Sequence, residues 1–209
     1  MGFFFQPSLI RTTSFKGNTI GGIVMGRRYK LLVLIALTCI LVYIGVIAFN
    51  TQVSYAATLE QLKAAFIVNF VKLTKWPNDV TKFEIGVYKN KAFADLLGRI
   101  LTGKKIQGKE VEVLASEDAS QFANCHVIFV SKSATGELGE VFVKVNALAG
   151  PAKLTIGETD DGSFINSGGM INFVEQGAKI KFKVNLIPAK AKKLTISAKL
   201  LKLAIDVKK

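Results

Sequence analysis

From residue 58 onward, apolar positions alternate between two rhythms, and the switches mark the elements. Thr58 and Gln61 have the spacing of a capping box, and Leu59, Leu62, Phe66, Phe70 and Leu73 then recur at three- and four-residue steps. One apolar helical stripe is predicted there, ended at Trp76 by Pro77, which disfavours helical geometry in the residue before it. Phe83, Ile85 and Val87 alternate with Glu84, Gly86 and Tyr88 as a strand does. Asn90 can cap a second helix striped by Phe93, Leu96, Leu97, Ile100 and Leu101, with Gly103 just beyond it. Glu110–Ala115 reads as a strand, and the unbroken run Val127-Ile128-Phe129-Val130 as a strand covered on both faces. Leu138, Val141, Phe142, Val145 and Leu148 mark a third helix, stopped by Gly150-Pro151. Leu154–Gly157 is a further strand, followed by turn chemistry at Asp160-Asp161-Gly162.

The strongest β pattern comes late. Ile180, Phe182 and Val184 alternate with Lys179, Lys181 and Lys183, giving one apolar and one cationic face. Met170–Val174 precedes this strand across Glu175-Gln176-Gly177-Ala178, which predicts a hairpin. An amphipathic helix carrying Ile196, Leu200, Leu203 and Val207 is expected to close the chain. Helices interleaved with strands predict a single α/β domain, with a mixed sheet of about six strands flanked by helices, a C-terminal β-hairpin and that closing helix.

The first quarter of the chain follows another logic. Arg27, Arg28 and Lys30 precede the uncharged run Leu31–Phe49, and Ser54-Tyr55-Ala56-Ala57 offers small residues at the spacing a signal peptidase reads. Residues 25–56 therefore read as an export signal, with retention of Leu31–Phe49 as a membrane anchor the alternative. Residues 1–24 form a leader of uncertain status, since Met25 offers a start directly before the basic cluster. The functional domain is then 57–209, acting outside the cytoplasm and away from ATP, NAD and the chromosome.

That domain has 153 residues, enough for one core, and the formal charge of +13 falls to +8 because the removed part holds five basic and no acidic residues. Its lysines are scattered, with no aromatic-basic cluster to stack bases, so a nucleic-acid partner is not expected. Cys125 is its lone cysteine and His126 its lone histidine, too few soft ligands for a transition-metal set, and no cofactor is implied. Beside a buried strand, Cys125 reads as an inert buried thiol and His126 as a structural or surface side chain. Gly98-Arg99-Ile100-Leu101-Thr102-Gly103-Lys104-Lys105 mimics a phosphate-binding loop but lacks the Ser/Thr for Mg²⁺ and follows a helix instead of a strand. Asp160 and Asp161 lack a calcium-binding ladder. No catalytic set is expected.

Three blocks together resemble the YfiR-like periplasmic family. The first is Lys63-Ala64-Ala65-Phe66-Ile67-Val68-Asn69-Phe70-Val71-Lys72-Leu73-Thr74-Lys75-Trp76-Pro77, and the second is the cysteine-led Cys125-His126-Val127-Ile128-Phe129-Val130-Ser131. The third runs through Gly168-Gly169-Met170-Ile171-Asn172-Phe173-Val174, Ile180-Lys181-Phe182-Lys183-Val184-Asn185 and Leu194-Thr195-Ile196-Ser197-Ala198-Lys199-Leu200-Leu201-Lys202-Leu203-Ala204. The likeness spans about 59–206 and implies a binding protein and not an enzyme. It implies a periplasmic inhibitor docking on the sensor domain of an inner-membrane diguanylate cyclase, lowering cyclic-di-GMP and biofilm formation. An outer-membrane lipoprotein that sequesters the inhibitor, and a homodimer, are implied with it. Relatives with paired cysteines are linked to redox sensing. Here Cys125 stands alone, so release by thiol chemistry is not expected.

Within these blocks, Trp76, Phe164, Ile165 and Met170 are the candidate partner anchors, being apolar residues that bracket turns. Asn69 and Asn185 read as buried hydrogen-bonding groups tying loops to the sheet, Pro77 as a helix stop, and Gly168 and Gly169 as a tight turn or close backbone approach. A rival reading is a small-ligand sensor with its pocket at the sheet edge near Gly168–Met170.

Overall fold

The computed structural model describes Gly26, Leu32, residues 34–38 and residues 59–209. The chain divides into two compact units, Met1–Phe49 and Asn50–Lys209. In the first, Leu32 and residues 34–38 are helical. No helix among the described residues is long and apolar enough to cross a membrane. The remainder of the signal run, its cleavage site and the Thr58 cap lie outside the described residues.

The second unit opens with α1 (59–72) and β1 (Thr74–Lys75). It continues through β2 (Lys82–Tyr88), α2 (Lys91–Leu101), β3 (Glu110–Ser116), β4 (Val127–Val130), α3 (Leu138–Ala147) and β5 (Leu154–Gly157). After α4 (Ser163–Asn166) come the hairpin strands β6 (Ile171–Gln176) and β7 (Lys179–Asn185), then α5 (Leu186–Ala191), β8 (Thr195–Ile196), α6 (Ala198–Leu201) and β9 (Asp206–Lys208). Seven strands form one mixed sheet in the order β3-β2-β4-β5-β6-β7-β9. Strands β2 to β6 are mutually parallel, β7 runs antiparallel to β6, and β9 is parallel to β7. The five parallel strands thus follow the 2-1-3-4-5 order of a doubly wound sheet.

Both faces are covered, which is why β4 and β5 are buried at every residue. On one face α1 and α2 bury Ile67, Phe70, Phe93 and Leu97 against Phe83, Ile85, Phe129, Ile156, Phe173 and Phe182. Phe70 stacks on Phe173 at 5.5 Å and meets Phe182 edge-on at 4.9 Å, with Phe66 against Phe182 at 5.7 Å. Such pairs add about 0.5–1.5 kcal/mol each beyond the area they bury. On the other face α3 packs Val141, Phe142 and Val145 around Ile128, Val130, Phe122 and Phe164. The Asn90 side chain caps α2 by accepting from the Phe93 amide at 2.9 Å, as its spacing predicts.

Three expectations change. Helix α1 stops at residue 72, four short of Trp76, because Thr74 and Lys75 pair with Ile196 and Thr195 in a separate two-stranded ribbon. The hairpin is tighter than its composition suggests: Gln176 faces Lys179 across Gly177-Ala178, with Gly177 at φ +58°. The closing helix is one turn. Ser197 caps it, it ends at Leu201, and Val207 pairs with Val184 in β9. The spacing of Ile196, Leu200, Leu203 and Val207 satisfies a helix, but β7 otherwise ends the sheet, and its unpaired backbone groups recruit the tail as a strand.

Candidate partner-docking site

Helix α1 ends in carbonyls that no helical amide can reach. Gln107 fills that role from a turn in which it adopts φ +52°. Its Nε2 donates to the carbonyls of Lys72 (3.0 Å), Thr74 (3.2 Å) and Val71 (3.3 Å). The Trp76 indole N–H points at the same Val71 carbonyl at 3.5 Å. Below the indole lie Phe83, 5.4 Å between ring centroids, and His126, at 5.9 Å. Trp76 is half-buried, so one surface of the ring is held by the core while the other faces solvent.

That exposed surface borders an open cleft of about 560 Å³. Lys72, Lys75 and Lys109 line it with Thr74, Thr195 and Ser197, and Asp79 is its only carboxylate. The combination is a basic recess with one rigid aromatic at its lip. It suits an acidic, partly apolar surface, because an aromatic anchor supplies area while the lysines steer approach. His126 Nδ1 accepts the Glu84 amide at 3.3 Å, and burial holds the imidazole below its ordinary range, with Glu84 opposing. The histidine is a structural support, as its sequence context suggests.

The other three anchor candidates lie inside the domain. Phe164 is wholly buried, Met170 is 3% exposed and Ile165 9%. Their flanking residues read as a loop, but Asp161 and Gly162 start the one-turn helix α4, the Asp161 carboxylate accepting the Ser163 amide at 2.9 Å, and α4 drives Phe164 into the sheet. The two glycines separate by role. Gly168 sits at φ +101° with open space around it, whereas a Cβ on Gly169 would lie 2.1 Å from the Phe164 ring. A Cβ on Gly157, at the end of β5, would likewise lie 2.4 Å from the same ring, a constraint its sequence context did not reveal.

Asn185 is buried and caps α5, accepting from Ile187 at 3.1 Å and donating to the Ile165 carbonyl at 3.3 Å. Asn69 is exposed, so the expectation that it is a buried tie is incorrect: its position on α1 turns it away from the sheet. The buried tie is Asn172. Its side chain accepts from the Thr159 amide at 2.9 Å and donates to the Thr159 carbonyl at 2.8 Å, locking the β5–α4 loop to β6. Its place within an apolar strand was the available signal.

Cys125 is fully buried, and burial pushes its thiol up to about 12. The phosphate-loop mimic is the C-terminal end of α2 and the turn after it, with Gly103 at φ +69°. Among the described residues no group of three or more His, Cys, Asp or Glu is placed to hold a metal.

The fold is a single mixed α/β domain with an open, lysine-lined cleft beside Trp76. The chain belongs to the YfiR/HmsC-like family, whose model matches residues 60–205. That family is a periplasmic, regulatory one linked to diguanylate cyclase signalling. No curated protein matches the chain. Among solved structures, a conserved domain protein from Vibrio cholerae O1 biovar El Tor is similar at 11% identity and a TM-score of 0.49, covering 69% of this chain and 60% of that one. An ABC domain from Streptococcus pneumoniae, in complex with L-Trp, is similar at 15% identity and a TM-score of 0.49, covering 67% and 58%. The chain thus spans about three-fifths of the length of each.

Proposed function

We propose that residues 25–56 export this domain to the periplasm, where residues 57–209 dock on the sensor domain of an inner-membrane diguanylate cyclase and hold it inactive. Family membership supports the setting, and the half-buried Trp76 at the lip of a lysine-lined cleft is the observation that carries the docking surface. Inhibition of this kind needs no chemistry. It requires only tighter binding to the inactive cyclase state than to the active one, about 5.5 kcal/mol of difference to turn a 1:99 population into 99:1. An outer-membrane lipoprotein that competes for the domain would release the cyclase, and self-association as a homodimer belongs to the same reading.

The experiment is in-cell crosslinking of the tagged protein expressed with its own signal, with mass spectrometry of what is captured. Capture of an inner-membrane protein carrying a cytoplasmic cyclase domain, lost in Trp76→Ala with unchanged circular dichroism, is the expected result. Self-crosslinks alone, or capture undiminished by Trp76→Ala, would remove the cleft from the docking surface.

A further inference from the structure

A second cavity lies on the other side of the sheet, between the end of α3 and α5. It holds about 290 Å³, at the small end of ordinary ligand sites. Phe142, Val145, Met170 and Pro188 form its apolar wall, and Lys153 and Lys192 bring positive charge to it. The lining contains no carboxylate.

Lys153 makes this more than an apolar void. The residue is 5% exposed, and its ammonium donates to three neutral carbonyls, those of Ala123 (2.8 Å), Ala149 (3.1 Å) and Pro151 (3.1 Å). A buried cation solvated only by peptide dipoles is costly and is stabilised by any anion brought near it. Burial holds its pKa below the ordinary range, and the neighbouring Lys192 adds to that depression. Thr155, also buried, lines the same space. Its hydroxyl accepts from the Met170 amide at 3.2 Å, and its own proton has no acceptor among the described residues. A donor is therefore free at the wall.

We infer that this cavity binds a small amphipathic carboxylate, its apolar body against Phe142, Val145 and Met170 and its anionic end toward Lys153, Lys192 and the Thr155 hydroxyl. The site is independent of the docking reading and needs no partner for its test. The reading explains why Gly168 and Met170 flank a recess: Gly168 turns the chain at φ +101° and leaves the entrance clear.

The test is calorimetric titration of the purified exported protein with octanoate, using 1-octanol as the neutral comparator. Octanoate is expected to bind at least about ten-fold more tightly than 1-octanol, the worth of one favourable charge interaction in a partly desolvated site. The exposed Lys192→Glu should weaken octanoate by about ten-fold or more and leave 1-octanol unchanged, while thermal melts of the free variant report that it is folded. Equal affinity for acid and alcohol would reduce the cavity to an apolar hole. Absence of octanoate binding at millimolar concentration, or octanoate binding indifferent to Lys192→Glu, would overturn the assignment.

Discussion

Gly169→Ala isolates the tightest contact in the domain. The added methyl would lie 2.1 Å from one Phe164 ring carbon and 2.7 Å from the Phe164 carbonyl oxygen, where carbon atoms ordinarily rest about 3.5–4.0 Å apart. The ring cannot retreat, because a Cβ on Gly157 would already meet it at 2.4 Å and Phe142 stands 5.2 Å away between centroids. Backbone strain is not involved, since Gly169 lies outside the left-handed region. The cost is overpacking, at the upper end of its usual range: about 3 kcal/mol. Phe164→Ala alone should cost about 3–5 kcal/mol as a cavity in a sealed site. In that background the Gly169→Ala methyl meets only the backbone oxygen and should cost about 1 kcal/mol, so the cycle should show about 2 kcal/mol of coupling. Urea melts with an unchanged m-value provide the measurement. A Gly169→Ala variant within about 0.5 kcal/mol of the parent, or an additive cycle, would refute the reasoning.

Gly168→Ala should behave differently, costing about 1–2 kcal/mol through its φ of +101° and with no rescue by Phe164→Ala in the same melts. Lys63→Met should cost about 3 kcal/mol, because the buried ammonium joins Glu158 (2.6 Å), Glu60 (2.9 Å) and Glu175 (2.9 Å), and its loss strands the carboxylates; a melt within about 0.5 kcal/mol of the parent would contradict this. Burial, with Glu158 and Glu175, pushes the Glu60 carboxyl up against the pull of Lys63, so Glu60 favours the folded state most below its unfolded pKa and loses that contribution as pH rises through the folded one. Glu60→Gln should therefore gain on the parent as pH rises above the ordinary carboxylate range, and parallel stability curves for the two proteins would exclude the linkage. Native Cys125, buried and pushed up to about 12, should resist thiol reagents until the protein unfolds; rapid labelling would show an opening the fold does not contain.

The alternation of helical and strand periods was enough to read the sheet and its covering helices, because each core residue sits at a position that only one period places inward. Phe93 and Leu97 on α2, and Ile180, Phe182 and Val184 on β7, are such positions. Reading failed where two periods share a spacing. Ile196, Leu200, Leu203 and Val207 fit a helix, yet Leu203 is 62% exposed and Val207 is in a strand, a result decided by the free edge of β7, which no local pattern contains. The anchor residues failed for a related reason. Turn-forming neighbours around Phe164 and Met170 signal a loop, but whether a loop's aromatic faces out depends on what it packs against, and Gly157, seven residues upstream, supplies that surface. Pro77 reads as the helix stop, but α1 already ends at residue 72, and Trp76 follows the short strand β1, whose pairing with β8 no local pattern contains.

A doubly wound sheet ordinarily receives its ligand at the carboxyl ends of its strands, where the strand order reverses. In this domain that end is occupied by its own charges. Lys89 pairs with Glu137 at 2.5 Å beside the ends of β2 and β4, Lys132 pairs with Asp160, and Lys63 gathers three carboxylates where β5 and β6 finish. The serine hydroxyls there are spent as well, Ser131 and Ser133 both reaching the Lys89 carbonyl at 3.1 and 3.0 Å. Uncompensated charge collects at the opposite end. Lys72, Lys75 and Lys109 surround the Trp76 cleft, and Lys153 and Lys192 line the α3–α5 cavity, both beside residues that precede the parallel strands. His126, Pro151 and Ala152 form a shallow recess with Trp76, and the last two also line the α3–α5 cavity, so the two sites adjoin. Both proposed sites thus lie at the amino ends of the parallel strands, in two cavities that share no lining residue, so substitutions in one can be tested without touching the other.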